Sequence, residues 1–171
     1  MFINNNLIVM NPEFEQFQKT ISNPFKFAFF KLVKLPASFV AGLRVGKLTS
    51  NEAVIIVKHN WLNQNPFRSM YFAVQSMAAE MSTGLFAVGQ TYKRKPTVSM
   101  LVVGIEGKFF KKATGVISFT CKDGAAVESV IEACIQTGEG RTLACTSIGT
   151  NEEGEKVSEF IIHWSFKAKS L

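Results

Sequence analysis

The sequence predicts an α+β chain in which an antiparallel sheet of about six strands wraps one long central helix, with a helical arm ahead of it. Three observations carry this reading. Residues 69–87, SMYFAVQSMAAEMSTGLFA, form a long apolar stretch with helical composition. On both sides of it lie short apolar runs separated by polar turns. The first 35 residues contain two Asn-Pro pairs, each at the start of a Phe-rich segment.

The central stretch reads as a buried helix. Met70, Phe72, Val74, Met77, Met81, Leu85 and Phe86 leave no hydrated stripe, and a helix apolar all round belongs inside a core. Ala73, Ser76, Ala78, Ala79, Thr83 and Gly84 are small enough for sheet backbone to approach closely. The stretch is too short and too rich in small residues to span a membrane. Between Arg68 and Lys93 its only charged residue is Glu80. A carboxylate inside an apolar helix is costly unless it is paired, hydrogen-bonded or protonated. Glu80 therefore either serves a site or has found a partner, and Ser76 and Thr83, at minus four and plus three, lie on the same face to provide one.

Ahead of it, residues 1–35 form the arm and residues 36–171 the main domain. MFINNNLIV reads as a leader without the basic start of a signal peptide, and Met10 is a second candidate start. Asn11-Pro12 and Asn23-Pro24 each place a capping residue before a proline at the first helical position. The second helix, running from Pro24 to Lys34, sets Phe25, Phe29, Leu32 and Val33 at helical spacing beside Lys26, Lys31 and Lys34. Such a stripe packs an arm over an apolar surface or lies on a membrane. Pro36 ends it. AGLRVGKL and AVIIVKHNW then form a hairpin across Thr49–Glu52.

After the central helix, VSMLVVGIEGKFF and ATGVISFTCK read as a second strand pair. Asp123-Gly124 opens a short helix with the stripe Val127, Val130, Ile131, Cys134 and Ile135, closed by Gly138. RTLACTSIGT and SEFIIHWSFKAK finish as a hairpin. In its second strand Phe160, Ile162, Trp164 and Phe166 alternate with more polar positions.

Composition narrows the function classes. With 47% hydrophobic and 19% charged residues the chain supports a full core and is not disordered. Three cysteines without CxxC spacing and two distant histidines argue against a metal site, and fit a reducing, cytoplasmic setting. No Gly-rich phosphate loop, GxSxG or HExxH is present. The net charge of +6 suits an anionic ligand, nucleic acid, an acidic membrane surface or an ordinary basic exterior. Without an interleaved aromatic and basic motif, nucleic acid is set aside.

The strings AGLRV…AVIIVKHNWLNQN, SMYFAVQSMAAEMSTG and FFKKATG, in this order, resemble the hotdog-fold thioesterase superfamily, in particular an uncharacterised branch of its phenylacetyl-CoA-thioesterase-like members. The resemblance covers roughly residues 36 to 168. It implies an acyl-CoA thioesterase-like protein that hydrolyses or binds an acyl thioester. Coenzyme A enters only as part of the substrate, there is no separate cofactor, and the assembly is a homodimer or dimer of dimers. By position, Glu80 matches the carboxylate that serves relatives as general base or nucleophile. Tyr71 stands where relatives carry His, and Phe72 and Ala73 where they carry two glycines. Asn63 and Asn65 fall in the polar loop before the helix. The resemblance thus implies Glu80, Tyr71 and Asn65 as catalytic residues.

Substrate-binding candidates are Asn63, Phe72, Ala73, Gln75, Ser76, Thr83, Lys111 and Lys112. The helix start supplies free N–H groups, and Tyr71 and Gln75, four residues apart, share its mouth. Lys93, Arg94, Lys95 and Lys108 join Lys111 and Lys112 as cations for phosphates, or as a solvated face. A non-catalytic acyl-ligand-binding or scaffold protein on the same fold is the alternative, favoured by the missing His-Gly-Gly.

Overall fold

The computed structural model describes residues 11–169; the leader and the second candidate start at Met10 lie outside them. Six strands form a single antiparallel sheet: β1 (Arg44–Leu48), β2 (Ala53–Lys58), β3 (Val98–Phe109), β4 (Val116–Cys121), β5 (Arg141–Thr150) and β6 (Lys156–Ala168). Their order across the sheet is β1-β2-β4-β5-β6-β3. The two expected hairpins, β1–β2 and β5–β6, form as read. The expected pairing of the VSMLVVGIEGKFF and ATGVISFTCK strands does not. β4 lies between β2 and β5, while β3 crosses to the far edge and pairs with β6 from Val98↔Ala168 to Phe109↔Ser158. The connection Phe110–Gly115 is too long for a tight hairpin turn, which leaves β3 free to travel.

Among the described residues five α-helices accompany the sheet: α1 (Phe14–Ile21), α2 (Pro24–Lys34), α3 (Pro36–Val40), α4 (Phe72–Thr91) and α5 (Gly124–Thr137). α4 is the central helix. It lies across the concave face, and Phe119, Phe160, Ile162 and Phe166 of the sheet close on Ala78, Ala79, Phe86 and Ala87 of the helix, all buried. The small residues at 78, 79, 82 and 83 are fully enclosed, as their size requires. α5 extends this layer; Gly138 closes it in the left-handed conformation, and the Asp123 carboxylate accepts from the Thr146 N–H at 2.7 Å.

The helix is not covered all round. Ala73, Ser76, Met77 and Glu80 are half-buried and Val88 is exposed, at three- and four-residue spacing along one side. The apolar sequence thus hides an open stripe, and Glu80 stands on it rather than in the dry core.

The arm covers part of that side. Asn11, expected as a helix cap, accepts from the Glu13 N–H at 3.2 Å and also donates its side-chain amide to the carbonyls of Gly89 and Tyr92, both at 2.9 Å; α1 itself starts one turn later, at Phe14. Phe14 lies where a Cβ on Gly89 would come within 2.6 Å of its ring, so only glycine admits α1 this close. α2 begins as read, with Asn23 accepting from the N–H groups of Phe25 and Lys26. Its orientation reverses the expectation. Phe27 and Lys31 face inward, whereas Phe25, Phe29, Leu32 and Val33 are exposed. The Lys31 ammonium donates to the Leu43 carbonyl and sits over the rings of Phe27 and Phe39, 5.1 and 5.8 Å from their centroids. Burial holds its pKa below the usual lysine range, with Arg44 adding to the shift. Pro36 ends α2 and also opens the short helix α3.

Candidate active site

The sequence-derived candidates fall into two places along α4. The first is its start. Here Asn65, Tyr71, Phe72, Gln75, Lys111 and Lys112 line a groove of about 660 Å³, with Phe109 and Phe110 from the end of β3. The loop before the helix is fixed by its asparagines. Asn63 is buried; its oxygen accepts from the Asn60 N–H, and its amide donates to the carbonyls of Ala41 and Lys58. The Asn63 amide thus holds the loop that leads into the helix. The Asn65 oxygen accepts from the N–H groups of Phe67 and Ser69, at 2.9 and 3.2 Å, which turns the chain into the groove.

The helix start is uncapped. The Tyr71 side chain makes no cap, its N–H donates to the Asn63 carbonyl, and its own carbonyl accepts from Val74 and Gln75. Among the described residues the N–H groups of Phe72 and Ala73 have no acceptor. They stand at the positive end of the helix dipole, where a developing negative charge is stabilised. Gln75 adds a second signal. It is only 4% exposed, its nitrogen donates to the Met70 carbonyl at 3.3 Å, and its oxygen has no partner. A buried orphan acceptor is uncommon in a native structure. The Tyr71 and Phe72 rings meet edge to face, 4.8 Å apart, beside this start.

The cations divide. Lys93 pairs with Glu13 and Gln16, and Arg94 with Glu132, away from the groove. Lys111 and Lys112 stay at its rim, the first beside Glu155, the second donating to the Phe67 carbonyl. The two clusters expected to act together therefore do not share one site.

The second place is Glu80. Its carboxylate has no hydrogen-bond or ion-pair partner among the described residues. The hydroxyls expected to satisfy it are turned elsewhere. Ser76 donates to the Phe72 carbonyl at 3.0 Å. Thr83 donates to the Glu80 backbone carbonyl at 2.9 Å and accepts from the Trp164 indole N–H, also at 2.9 Å. Within a helix such hydroxyls reach the carbonyl three or four residues back, and Trp164 holds Thr83 against the sheet. Burial alone raises the Glu80 pKa above its ordinary value of 4.5.

Glu80 stands in the wall of an apolar cavity of about 430 Å³, lined by Phe17, Ile21, Phe27 and Phe30 of the arm, Met81 and Leu85 of α4, and Met100 of β3. It also borders a smaller one of about 300 Å³ beside Lys34–Ser38. Gly84 lets the carboxylate lie flat: a Cβ there would sit 3.2 Å from its oxygen and 3.4 Å from the Trp164 ring. The sequence reading missed this cavity, because its walls come from the arm. The residue spacing of Phe27 against Phe25 and Phe29 was the available signal.

Eight residues of helix rise separate Phe72 from Glu80, roughly 12 Å. Within one subunit, the free N–H groups and the carboxylate cannot meet on the same carbonyl. The other titratable groups offer no substitute. Cys121 and Cys145 are buried, with thiol pKa values pushed up, that of Cys145 to about 12, so neither is a ready nucleophile. Among the described residues no group of three or more His, Cys, Asp or Glu side chains could hold a metal ion.

Solved structures share this architecture. A Pseudomonas aeruginosa protein of unknown function, described as a probable thioesterase, superposes with a TM-score of 0.70 over 88% of this chain and 99% of its own, at 19% identity. A Chlorobaculum tepidum protein of unknown function gives 0.71 over 88% and 99%, at 14% identity. A Haemophilus influenzae thioesterase gives 0.60 over 81% and 87%, at 11% identity. At these identities the likeness establishes the fold, a thioesterase-like hotdog, and not the chemistry. No curated protein matches the sequence. Residues 26–166 match the family described as domain of unknown function DUF4442, and the chain belongs to that family, an uncharacterised thioesterase-like branch of the hotdog fold.

Proposed function

We propose that the protein hydrolyses an acyl thioester, acyl-CoA being the natural candidate, at a site completed by two copies of the chain. The observation that carries this is Glu80: an unpartnered carboxyl with a raised pKa in the wall of an apolar cavity. The acyl chain occupies that cavity. The thioester carbonyl lies against the Phe72 and Ala73 N–H groups of the partner copy, and Lys111 and Lys112 at the groove rim meet the coenzyme A phosphates. Tyr71, Phe72, Gln75 and Asn65 shape that groove. β3 supports such pairing, since it is 12 residues long and no strand among the described residues lies on its outer edge.

Ionised Glu80 takes a proton from water as the oxygen attacks the thioester carbon. The helix-start N–H groups stabilise the oxyanion. The carbon–sulfur bond then breaks and the thiolate leaves, collecting the proton. Because Glu80 must be ionised, activity rises with pH through its raised pKa.

The test is hydrolysis of short, medium, long and aromatic acyl-CoA substrates by native protein and Glu80→Gln. Catalysis falls by about two orders of magnitude or more in the variant, the usual worth of a positioned base, and the rising pH limb disappears. Equal rates across the panel would remove the catalytic reading. The acyl-binding alternative is favoured by the crowding of Tyr71 and Phe72 at the helix start; it would then show as acyl-CoA binding without turnover.

A further inference from the structure

The outward face of α2 has no role in the site above. Phe25 and Phe29 are 85% and 69% exposed, and Leu32 and Val33 are more than half exposed. Leu35, Phe39 and Val40 continue the apolar surface onto α3. The turn Trp61–Asn63 joins it: Asn63 donates to the carbonyl of Ala41, directly after α3, and there Trp61 is 79% exposed, with Leu62 also exposed. The face is fixed. Lys31 and Phe27 anchor the opposite side of α2 in the protein, so rotation cannot bury the phenylalanines.

The charge near it is mainly of one sign, the half-buried Glu80 beside Lys34–Ser38 being the exception. From Gln16 to Ala79 the only acid is Glu52, and Lys47 already pairs with it. The same span holds Lys19, Lys26, Lys31, Lys34, Arg44, Lys47, Lys58 and Arg68. Lys26 and Lys34 flank the apolar face and are exposed. A second copy laid symmetrically on this face would set its lysines against their own equivalents, with no exposed acid on α2, α3 or the Trp61–Asn63 turn to answer them. An anionic lipid surface answers them directly. Exposed Phe and Trp with flanking Lys is the composition of a helix lying in the bilayer interface. No helix among the described residues is long and apolar enough to cross a membrane, so such contact is peripheral.

We propose that α2, α3 and the Trp61–Leu62 turn form a docking surface for an anionic lipid bilayer. α2 lies in the headgroup plane with Phe25, Phe29 and Val33 inserted, and Lys26 and Lys34 contact lipid phosphates and carboxylates. Phe30 belongs both to this side of α2 and to the wall of the cavity beside Glu80, so docking holds that cavity at the bilayer. The docking does not depend on thioester chemistry.

The test is flotation of the full-length protein with vesicles of phosphatidylcholine, with and without roughly 30% phosphatidylserine. The protein floats with the anionic vesicles, weakly with the neutral ones, and less as salt is raised. Lys26→Ala/Lys34→Ala weakens binding by more than tenfold, at about fivefold per cation. Phe25→Ser/Phe29→Ser/Val33→Ser abolishes it with melting temperature and circular dichroism unchanged. Failure to float, equal binding to neutral vesicles, or unaltered binding by the Phe variant would each overturn the proposal. So would a Phe variant that turns a dimer into a monomer while neither form binds vesicles, which would assign the face to a second copy.

Discussion

α2 and α4 are both apolar helices that carry one charged side chain away from open water, Lys31 and Glu80, and they resolve it in opposite ways. α4 carries small residues at 78, 79, 82 and 83, which let the sheet close on it, and it leaves Glu80 on the uncovered side. α2 carries large aromatics at the rim, where only one side has a neighbour. It turns Lys31 and Phe27 inward and Phe25 and Phe29 outward. An ammonium on a long stem can reach a backbone carbonyl such as that of Leu43, whereas a short carboxylate surrounded by engaged hydroxyls has no donor to reach. The buried lysine is structural because it is satisfied, and the glutamate is a candidate for chemistry because it is not.

Truncation separates the two helices most sharply. Phe86→Ala, in the enclosed side of α4, costs about 3–5 kcal/mol from lost burial and the remaining cavity. Phe25→Ala, in α2, changes stability by no more than about 0.5 kcal/mol. Denaturant midpoints of the two variants check this. A large loss at Phe25 would mean that its ring is covered in solution.

How much of this was legible follows from what each element touches. The β1–β2 and β5–β6 hairpins, α5 with its closing Gly138, and the inward set Phe160, Ile162, Trp164 and Phe166 are local patterns, and they were readable. The strand order was not, because β3 reaches β6 through partners some 50 to 70 residues away, and alternation says nothing of which strand is adjacent. Glu80 stood out as the only charge in its stretch. Its surroundings did not, since the choice of Ser76 and Thr83 for backbone carbonyls depends on Trp164, and the cavity depends on the arm. The stripe of α2 was visible, but periodicity reports that a stripe exists and not what covers it.

A smaller effect sharpens the contrast at Glu80 itself. A carboxyl whose folded pKa lies above its unfolded value favours the native state while protonated. That contribution is fully present below the unfolded pKa and is lost as pH rises through the folded one. Glu80→Gln removes the dependence. The variant is therefore more stable than the native protein at neutral pH, and the gap closes on acidification toward pH 4.5 and below. Melting curves across this range measure it. A variant less stable at neutral pH would mean that Glu80 is satisfied by a partner.

The central claim is that the base and the carbonyl-binding helix start come from different subunits. Mixing two crippled variants tests it most directly. Glu80→Gln lacks the base, and Ala73→Pro lacks one of the helix-start N–H groups while placing proline where a first turn accepts it. Each variant alone keeps no more than about a hundredth of native activity on acyl-CoA. Unfolded and refolded together, they regain about a quarter of native activity, because random pairing makes half the dimers mixed and each mixed dimer holds one intact site of two. No recovery, from a mixture shown by light scattering to contain dimers, would contradict a site shared between subunits.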